Sequence, residues 1–395
     1  MGADAAARLR YAGGALTHVD RGDSRLRVLH VMAPSRAGGL ESVVIELTSG
    51  LRRRGHDVQV AAVLAPGTED EHPVVNALRE RGVPVHVIVL GTRDYLGERR
   101  AVLRLLRQLD TQVLHTHGYR ADTVLGDVAR REHRANVITL HGFVGGSRRG
   151  RLYEWMQVQA ARFANGVVAV STPIVDRLRS YGISRNVQLL RNAVGPSTNA
   201  LSREQARAAL KLPPDGVLVA WVGRVSQEKG PLYFVEAIAR ADSRICGVMI
   251  GDGPELEACW QRARQLGITE RVHFAGMLPG ASRYLGAFDA LALTSLTEGT
   301  PMILLEAMWA QVPIVATAVG GVPAVISASD AALCPPGDVQ AIAGALTDVV
   351  TRPAEARARA AAANARVATE YSYEGWLDKH ELLYGRVLRG SAAVS

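Results

Sequence analysis

Twice along this 395-residue chain, apolar runs of three to eight residues alternate with longer segments of helical character. In the first half the runs fall at 27–34, 58–64, 85–90, 112–115, 137–140, 166–170 and 187–190, with helices expected at 73–81, 98–109, 121–130, 151–164 and 174–180 between them. Runs this short suit strands buried on both faces, and strands separated by helices make a parallel sheet covered on both sides. The pattern breaks around 193–214, at Gly195, Pro196, a short polar helix and Pro213-Pro214. It resumes with strands at 217–222, 247–250, 272–274, 290–293 and 313–316 and helices at 232–240, 255–266, 282–288 and 302–310. The implied fold class is α/β, with two Rossmann-like domains facing each other across a cleft, over 24–194 and 195–370. Residues 1–23 carry scattered arginines and glycines without the apolar core of a signal peptide and read as a disordered extension. No apolar run approaches the ~18 residues that span a bilayer.

The most informative stretch runs from Asp289 to Gly321 and reads as strand, acidic turn, helix, strand and glycine turn. Glu298 and Gly299 then lie at the carboxyl end of a strand, in the loop entering a helix, where open α/β sheets bind ligands. Pro301 is expected in the first turn of that helix. Glu306 follows about two turns later, in a segment with no other charge from Thr300 to Thr317. Either carboxylate alone is as readily a helix cap or a solvated position. A carboxylate inside so apolar a helix needs a partner, and a hydroxyl-rich ligand supplies one.

Other strand ends carry polar residues. Lysine occurs three times beside 43 arginines, yet Lys229 sits before Gly230 at a helix entrance, five positions after Arg224. Together the two cations would hold a diphosphate, at ~1.5–3 kcal/mol per charge-assisted contact; the bland alternative is a pair of solvated surface charges. Gly38-Gly39 follows the first strand and lets backbone N–H groups approach a phosphate or sugar. His117-Gly118 and His141-Gly142 both end strands on the cleft edge, although a lone strand-end histidine is more often structural. Cys246, Cys259 and Cys334 are too scattered for a disulfide framework or metal site, so a reducing cytoplasm is the default location. Residues 1–200 hold 28 arginines against 18 acidic residues, whereas residues 201–395 hold 18 basic against 20 acidic. This excess in the first half fits an anionic membrane surface or an anionic acceptor.

Glu298 and Glu306 with seven residues between them, the following Ala-Met and Gly320-Gly321, and the Gly223-Arg224…Glu228-Lys229-Gly230 segment resemble the signature of family 4 glycosyltransferases. These are retaining enzymes of the two-domain GT-B fold, and the resemblance spans roughly residues 27–385. It implies an acceptor domain first, a donor domain second, and a helix within 371–395 that crosses back onto the first domain. It further implies that His117, Glu298, Arg224 and Lys229 are catalytic. The donor nucleotide sugar, UDP- or GDP-linked, would contact Gly38, Gly39, Arg224, Lys229, Met277, Glu298, Gly299, Thr300, Pro301, Met302 and Glu306, with His141 as secondary candidate. Gly251-Asp252-Gly253-Pro254 matches a turn that shapes the cleft. Three positions depart from the family pattern: Gln311, Ala324 and the segment Arg191-Asn192-Ala193-Val194.

No nucleophile and base pair of hydrolase type is visible, and no Asp-x-Asp metal motif occurs. That fits the metal-independent, cofactor-free, front-face transfer that the resemblance implies, in which catalysis is orientation and electrostatic stabilisation. The expected activity is transfer of a sugar to an acceptor hydroxyl in glycan, polysaccharide or glycolipid synthesis. No nucleic acid partner is expected. The expected location is cytoplasmic, with peripheral attachment to the inner membrane face through 147–156, where arginines lie beside Trp155 and Tyr153, as the alternative. Two competing readings are a non-catalytic nucleotide-sugar binding or scaffold protein and a GT-B-like sugar-nucleotide epimerase. The charged set argues against both, although it establishes donor binding alone.

Overall fold

The computed structural model describes residues 25–35, 38–68, 72–142, 148–197, 199–278 and 280–392. The extension expected over 1–23 lies outside them, as does part of the 147–156 segment. The first sheet contains β1 (Arg27–Met32), β2 (Asp57–Leu64), β3 (Val85–Val89), β4 (Val113–His117), β5 (Ala135–Leu140), β6 (Gly166–Ala169) and β7 (Val187–Leu189). The second contains β8 (Val217–Val222), β9 (Ile245–Ile250), β10 (Val272–Gly276), β11 (Ala290–Leu293), β12 (Ile314–Thr317) and β13 (Ala332–Cys334). Their orders are β3-β2-β1-β4-β5-β6-β7 and β10-β9-β8-β11-β12-β13. Every pairing is parallel; Met32 lies opposite His117 and Ala290 opposite Val219.

Both sheets follow one plan, spreading from a first strand in one direction and then crossing to the other side of it. The reversal falls between β1 and β4 in one domain and between β8 and β11 in the other. Crevices open at such reversals, outside the carboxyl ends of the strands. The strands are apolar because helices cover both faces: β5 and β11 are buried along their whole length.

Two local expectations need correction, and one strand is additional. Pro301 lies ahead of the helix Met302–Trp309 as its N-terminal cap, with ψ of 116°, so the helix starts after the proline. The helix expected over 121–130 is two pieces, Tyr119–Leu125 and Val128–Arg131, which part at Gly126-Asp127. The edge strand β13 was not expected, because its three residues run directly into Pro335-Pro336.

The helix Tyr373–Ala392 crosses back to the first domain. Arg54 pairs there with Glu374, Asp378 and Glu381, and Tyr373 donates its hydroxyl to the Glu46 carbonyl at 2.7 Å. Deeper, the Tyr384 hydroxyl meets His115 Nδ1 at 2.7 Å, and Leu383 and Val387 lie against Gly166 of β6. The largest apolar cluster is continuous through both domains and this helix, joining Val28, Val137, Leu218, Leu291, Leu304, Trp376 and Leu383.

Candidate functional site

The loops after β8 and β11 meet at the second domain's reversal point. Lys229 ends a single 3-10 turn, Gln227–Lys229, and its ammonium donates to both Glu298 oxygens at 2.7 and 2.8 Å. Ser295 Oγ donates to the same carboxylate at 2.7 Å. The Glu298 side chain is 5% exposed and that of Lys229 30%, so the carboxylate is held from behind while its cation reaches open space. An ammonium has three donors, and two are used here. Arg224 is exposed and forms no ion pair among the described residues.

The Gly320-Gly321 turn carries this arrangement. Gly320 adopts φ of +51°, and a side-chain carbon there would lie 2.0 Å from the Glu298 carbonyl oxygen. Gly321 N donates to that same oxygen at 3.1 Å. Glycine is therefore required for the turn to support the acidic loop.

From this loop the chain enters Met302–Trp309. Thr300 Oγ1 donates across the cleft to the Val170 carbonyl at 3.0 Å, and the space beside Gly299 is closed at 3.2 Å by the His141 carbonyl oxygen. Met302 is buried and faces Gly39, the first residue of the helix Gly39–Arg53, where an added side-chain carbon would lie 3.9 Å from the Met302 Cγ. Two helix N-termini, one from each domain, thus converge and present unsatisfied N–H groups and positive dipole ends. Gly38 precedes them, tight against the Glu41 carboxylate, which accepts from Ser35 N at 2.7 Å. Met277 is half-buried just past the end of β10, beyond the Gly251 turn, whose N–H donates to the Gly276 carbonyl at 2.8 Å.

Glu306 is half-buried on the same helix. Burial, helped by the nearby Glu46 carboxylate and opposed by Arg81, pushes its carboxyl up to about 7. Glu46 and Arg81 belong to the first domain and pair with each other. Glu306 thus meets the other domain's charges across the cleft.

At the first domain's reversal point lies a stack of imidazoles. His117 is 1% exposed, and both ring nitrogens are engaged: Nε2 with His30 Nδ1 at 2.9 Å, Nδ1 with His141 Nε2 at 3.2 Å. His115 is bonded to Tyr384 and to Thr139 Oγ1, each at 2.7 Å, and its ring stacks on His117 with centroids 4.3 Å apart. Burial holds His30 and His141 down to about 3 and His380 to about 4, with His115 and His117 well below their usual value. His30, His115 and His117 each offer a ring nitrogen within 4.8 Å of the others, close enough to share a metal ion. Their hydrogen bonds to one another, to His141 and to hydroxyls use every one of these nitrogens except His30 Nε2.

The two sheets therefore bring Gly38, Gly39, Met302, Gly299, Thr300 and His141 together, with Glu298, Lys229 and Arg224 beside them. His117 lies one ring behind His141. The sequence reading missed His30, Ser295 and Tyr384. A histidine inside an apolar strand, a serine in a loop and a tyrosine in a distant helix carry no local signal of the partners they meet here.

Two Rossmann-like domains with polar residues gathered at facing reversal points define the class of two-domain GT-B proteins. Residues 37–197 match the family described as Glycosyltransferase Family 4, and residues 216–352 the family described as Glycosyl transferases group 1. The chain belongs to this group 1, family 4 glycosyltransferase family. It is 32% identical over 220 residues to the 2-deoxystreptamine N-acetyl-D-glucosaminyltransferase of Streptomyces fradiae, covering 52% of each chain. It is 24% identical to the lipopolysaccharide core biosynthesis glycosyltransferase LpsD of Rhizobium meliloti, over 91% of this chain and 98% of that one. The chain thus spans about half the length of the first relative and nearly all of the second. Among solved structures, Anabaena HepE in complex with UDP-glucose superposes with a TM-score of 0.79 at 20% identity, over 91% of this chain and 99% of that one. No helix among the described residues is long and apolar enough to cross a membrane.

Proposed function

We propose that the protein is a retaining, metal-independent glycosyltransferase that moves a sugar from a nucleoside diphosphate donor, UDP-linked in the first instance, to an acceptor hydroxyl of a glycan or glycolipid. The observation that carries the reading is Lys229, clamped to the Ser295-bound Glu298 carboxylate at the β8/β11 reversal with a donor to spare, on the loop that also carries Arg224, which has no ion-pair partner among the described residues. These cations offset the charge on the departing diphosphate in the place where a metal ion would otherwise be needed. Glu298 has both oxygens occupied by Lys229, which suits a group that positions the sugar better than a nucleophile. In the front-face reaction the acceptor oxygen bonds to the anomeric carbon as the bond to the diphosphate oxygen breaks. The acceptor proton passes to that departing oxygen. Glu306 faces the ribose hydroxyls, and Met277 borders the base. The converging helix N-termini at Gly39 and Met302, with Gly299, Thr300 and Pro301, surround the phosphates and sugar.

The complex of HepE with UDP-glucose and the lipopolysaccharide role of LpsD support a UDP-sugar donor and a surface glycan or glycolipid acceptor. Leu152 and Trp155 are exposed on the helix Arg148–Arg162, next to Arg151, which supports peripheral attachment to an anionic membrane. The test is nucleotide release from a panel of UDP- and GDP-sugars with and without chelator, followed by NMR of the product's anomeric configuration. Release in chelator with retained configuration is expected. Donor binding with neither release nor transfer would overturn the enzymatic reading in favour of a binding protein. Flotation with anionic vesicles tests the membrane contact, and no preference for anionic lipid refutes it.

A further inference from the structure

Three imidazoles form a hydrogen-bonded chain from the interior of the first sheet to the cleft, His30 to His117 to His141. A neutral imidazole has one N–H and one bare nitrogen. Each of the two contacts holds one proton, so the choice made at one end of the chain fixes the choice at the other. Burial keeps all three rings neutral.

Two arrangements satisfy both contacts. In the first, His141 donates to His117 and His117 to His30, which strands an N–H on His30 Nε2. In the second, His30 donates to His117 and His117 to His141, which leaves His30 Nε2 bare and puts an N–H on His141 Nδ1. His30 is 0% exposed and its Nε2 has no hydrogen-bond partner. A buried N–H without an acceptor is the rarer and costlier defect, so the second arrangement is favoured. His141 is half-buried at the cleft, its carbonyl against Gly299.

We infer that His30 and His117 are positioning residues that set the tautomer of His141, so that His141 presents an Nδ1–H donor to an oxygen of the ligand in the cleft. His115 stands outside the chain, since both its nitrogens are bonded elsewhere, and acts as the stacking support for His117. The ligand's identity rests on the sugar-nucleotide reading; the tautomer does not.

Long-range proton–nitrogen correlation spectra of protein carrying ¹⁵N-histidine read which nitrogen of each ring is protonated, without ligand. Single His→Gln variants assign the rings. Nδ1–H is expected on His30, His117 and His141; an Nε2–H on His141 or His30 would overturn the inference. So would one equivalent of zinc held by the purified protein.

The functional arm uses two isosteric variants. Asparagine at position 30 can donate to His117 Nε2 and keep the direction of the chain, whereas aspartate, ionised when binding is measured at pH 8.5, can only accept and reverses it. His30→Asp should weaken UDP-glucose binding about 10–100-fold relative to His30→Asn, the range for loss of one hydrogen bond to a charged group. Equal affinity in the two variants, both folded by circular dichroism, would overturn the inference. If the spectra are as expected and the parent protein binds no sugar nucleotide, the donor reading fails while the tautomer assignment stands.

Discussion

Removing Lys229 separates what the Lys229–Glu298 pair does for folding from what it does for transfer. The Glu298 side chain is 5% exposed, and in Lys229→Ala Ser295 Oγ is its one remaining side-chain donor among the described residues. Breaking a fully buried ion pair costs about 3–5 kcal/mol, because a charge is left uncompensated. Lys229 is 30% exposed, so water replaces part of what is lost and the cost falls to about 2–3 kcal/mol. Replacing the carboxylate as well, in Lys229→Ala/Glu298→Gln, removes the stranded charge and should restore most of that stability. Activity should behave differently, falling about 10²–10³-fold in both variants, as when one preorganised partner of a developing charge is removed. Urea unfolding and nucleotide release on the same preparations give both numbers. A single variant as stable as the parent would show that the pair holds nothing. A double variant that regains transfer would show that Lys229 serves Glu298 alone and never the diphosphate.

Three further outcomes follow from the same geometry. Glu306 is largely protonated at pH 6, and ribose hydroxyls donating to it would favour its charged form. Binding of a nucleotide sugar should therefore release nearly one proton per site at pH 6 and none at pH 8.5 or in Glu306→Gln, measured by calorimetry in buffers of different ionisation enthalpy. Four buried histidines, 30, 115, 117 and 380, and half-buried His141 have folded values below the ordinary one. Their stability contribution is full above pH 6.5 and is lost as pH falls, by up to about 1.4 kcal/mol per histidine per unit. Asp122 and Glu306, both pushed up to about 7, oppose this, since they destabilise the fold as pH rises through their window. Five groups outweigh two, so the urea midpoint should drop between pH 7.5 and 5.5; a rise would refute the neutral stack. Gly320→Ala should cost activity at least tenfold while donor affinity for the second domain's Arg224 side changes less, because the added carbon displaces the Glu298 backbone. Normal kinetics in that variant would show that the acidic loop does not depend on the turn.

The fold was legible because burial on both faces of a parallel sheet leaves continuous apolar runs, and β5 and β11 have little else. What escaped was short or conditional: β13 has three residues before two prolines, and the break at Gly126 looks like an ordinary helical glycine until Ala160 of the neighbouring helix is seen against it. For the site, the sequence pointed to Lys229 and Glu298 separately. Their contact joins residues 69 positions apart and depends on β8 and β11 being neighbours. The perturbation of Glu306 was anticipated from its apolar setting, but its cause includes Glu46 and Arg81 of the other domain, which spacing along one helix cannot reveal. The resemblance favours His117 over His141; His117 lies opposite Thr139, so His141, two residues farther along the chain, reaches Gly299 with its carbonyl.

The C-terminal helix also sets an order of events in time. His115, in the middle of the first sheet, waits for a hydroxyl 269 residues later in the chain, and Gly166 for Leu383 and Val387. While the chain is being synthesised, β1 to β7 can gather long before Tyr373–Ala392 exists, but the face that this helix covers stays open until the second domain has emerged in full. Contacts so distant in sequence form slowly and leave apolar surface exposed meanwhile. The domain made first is the one completed last.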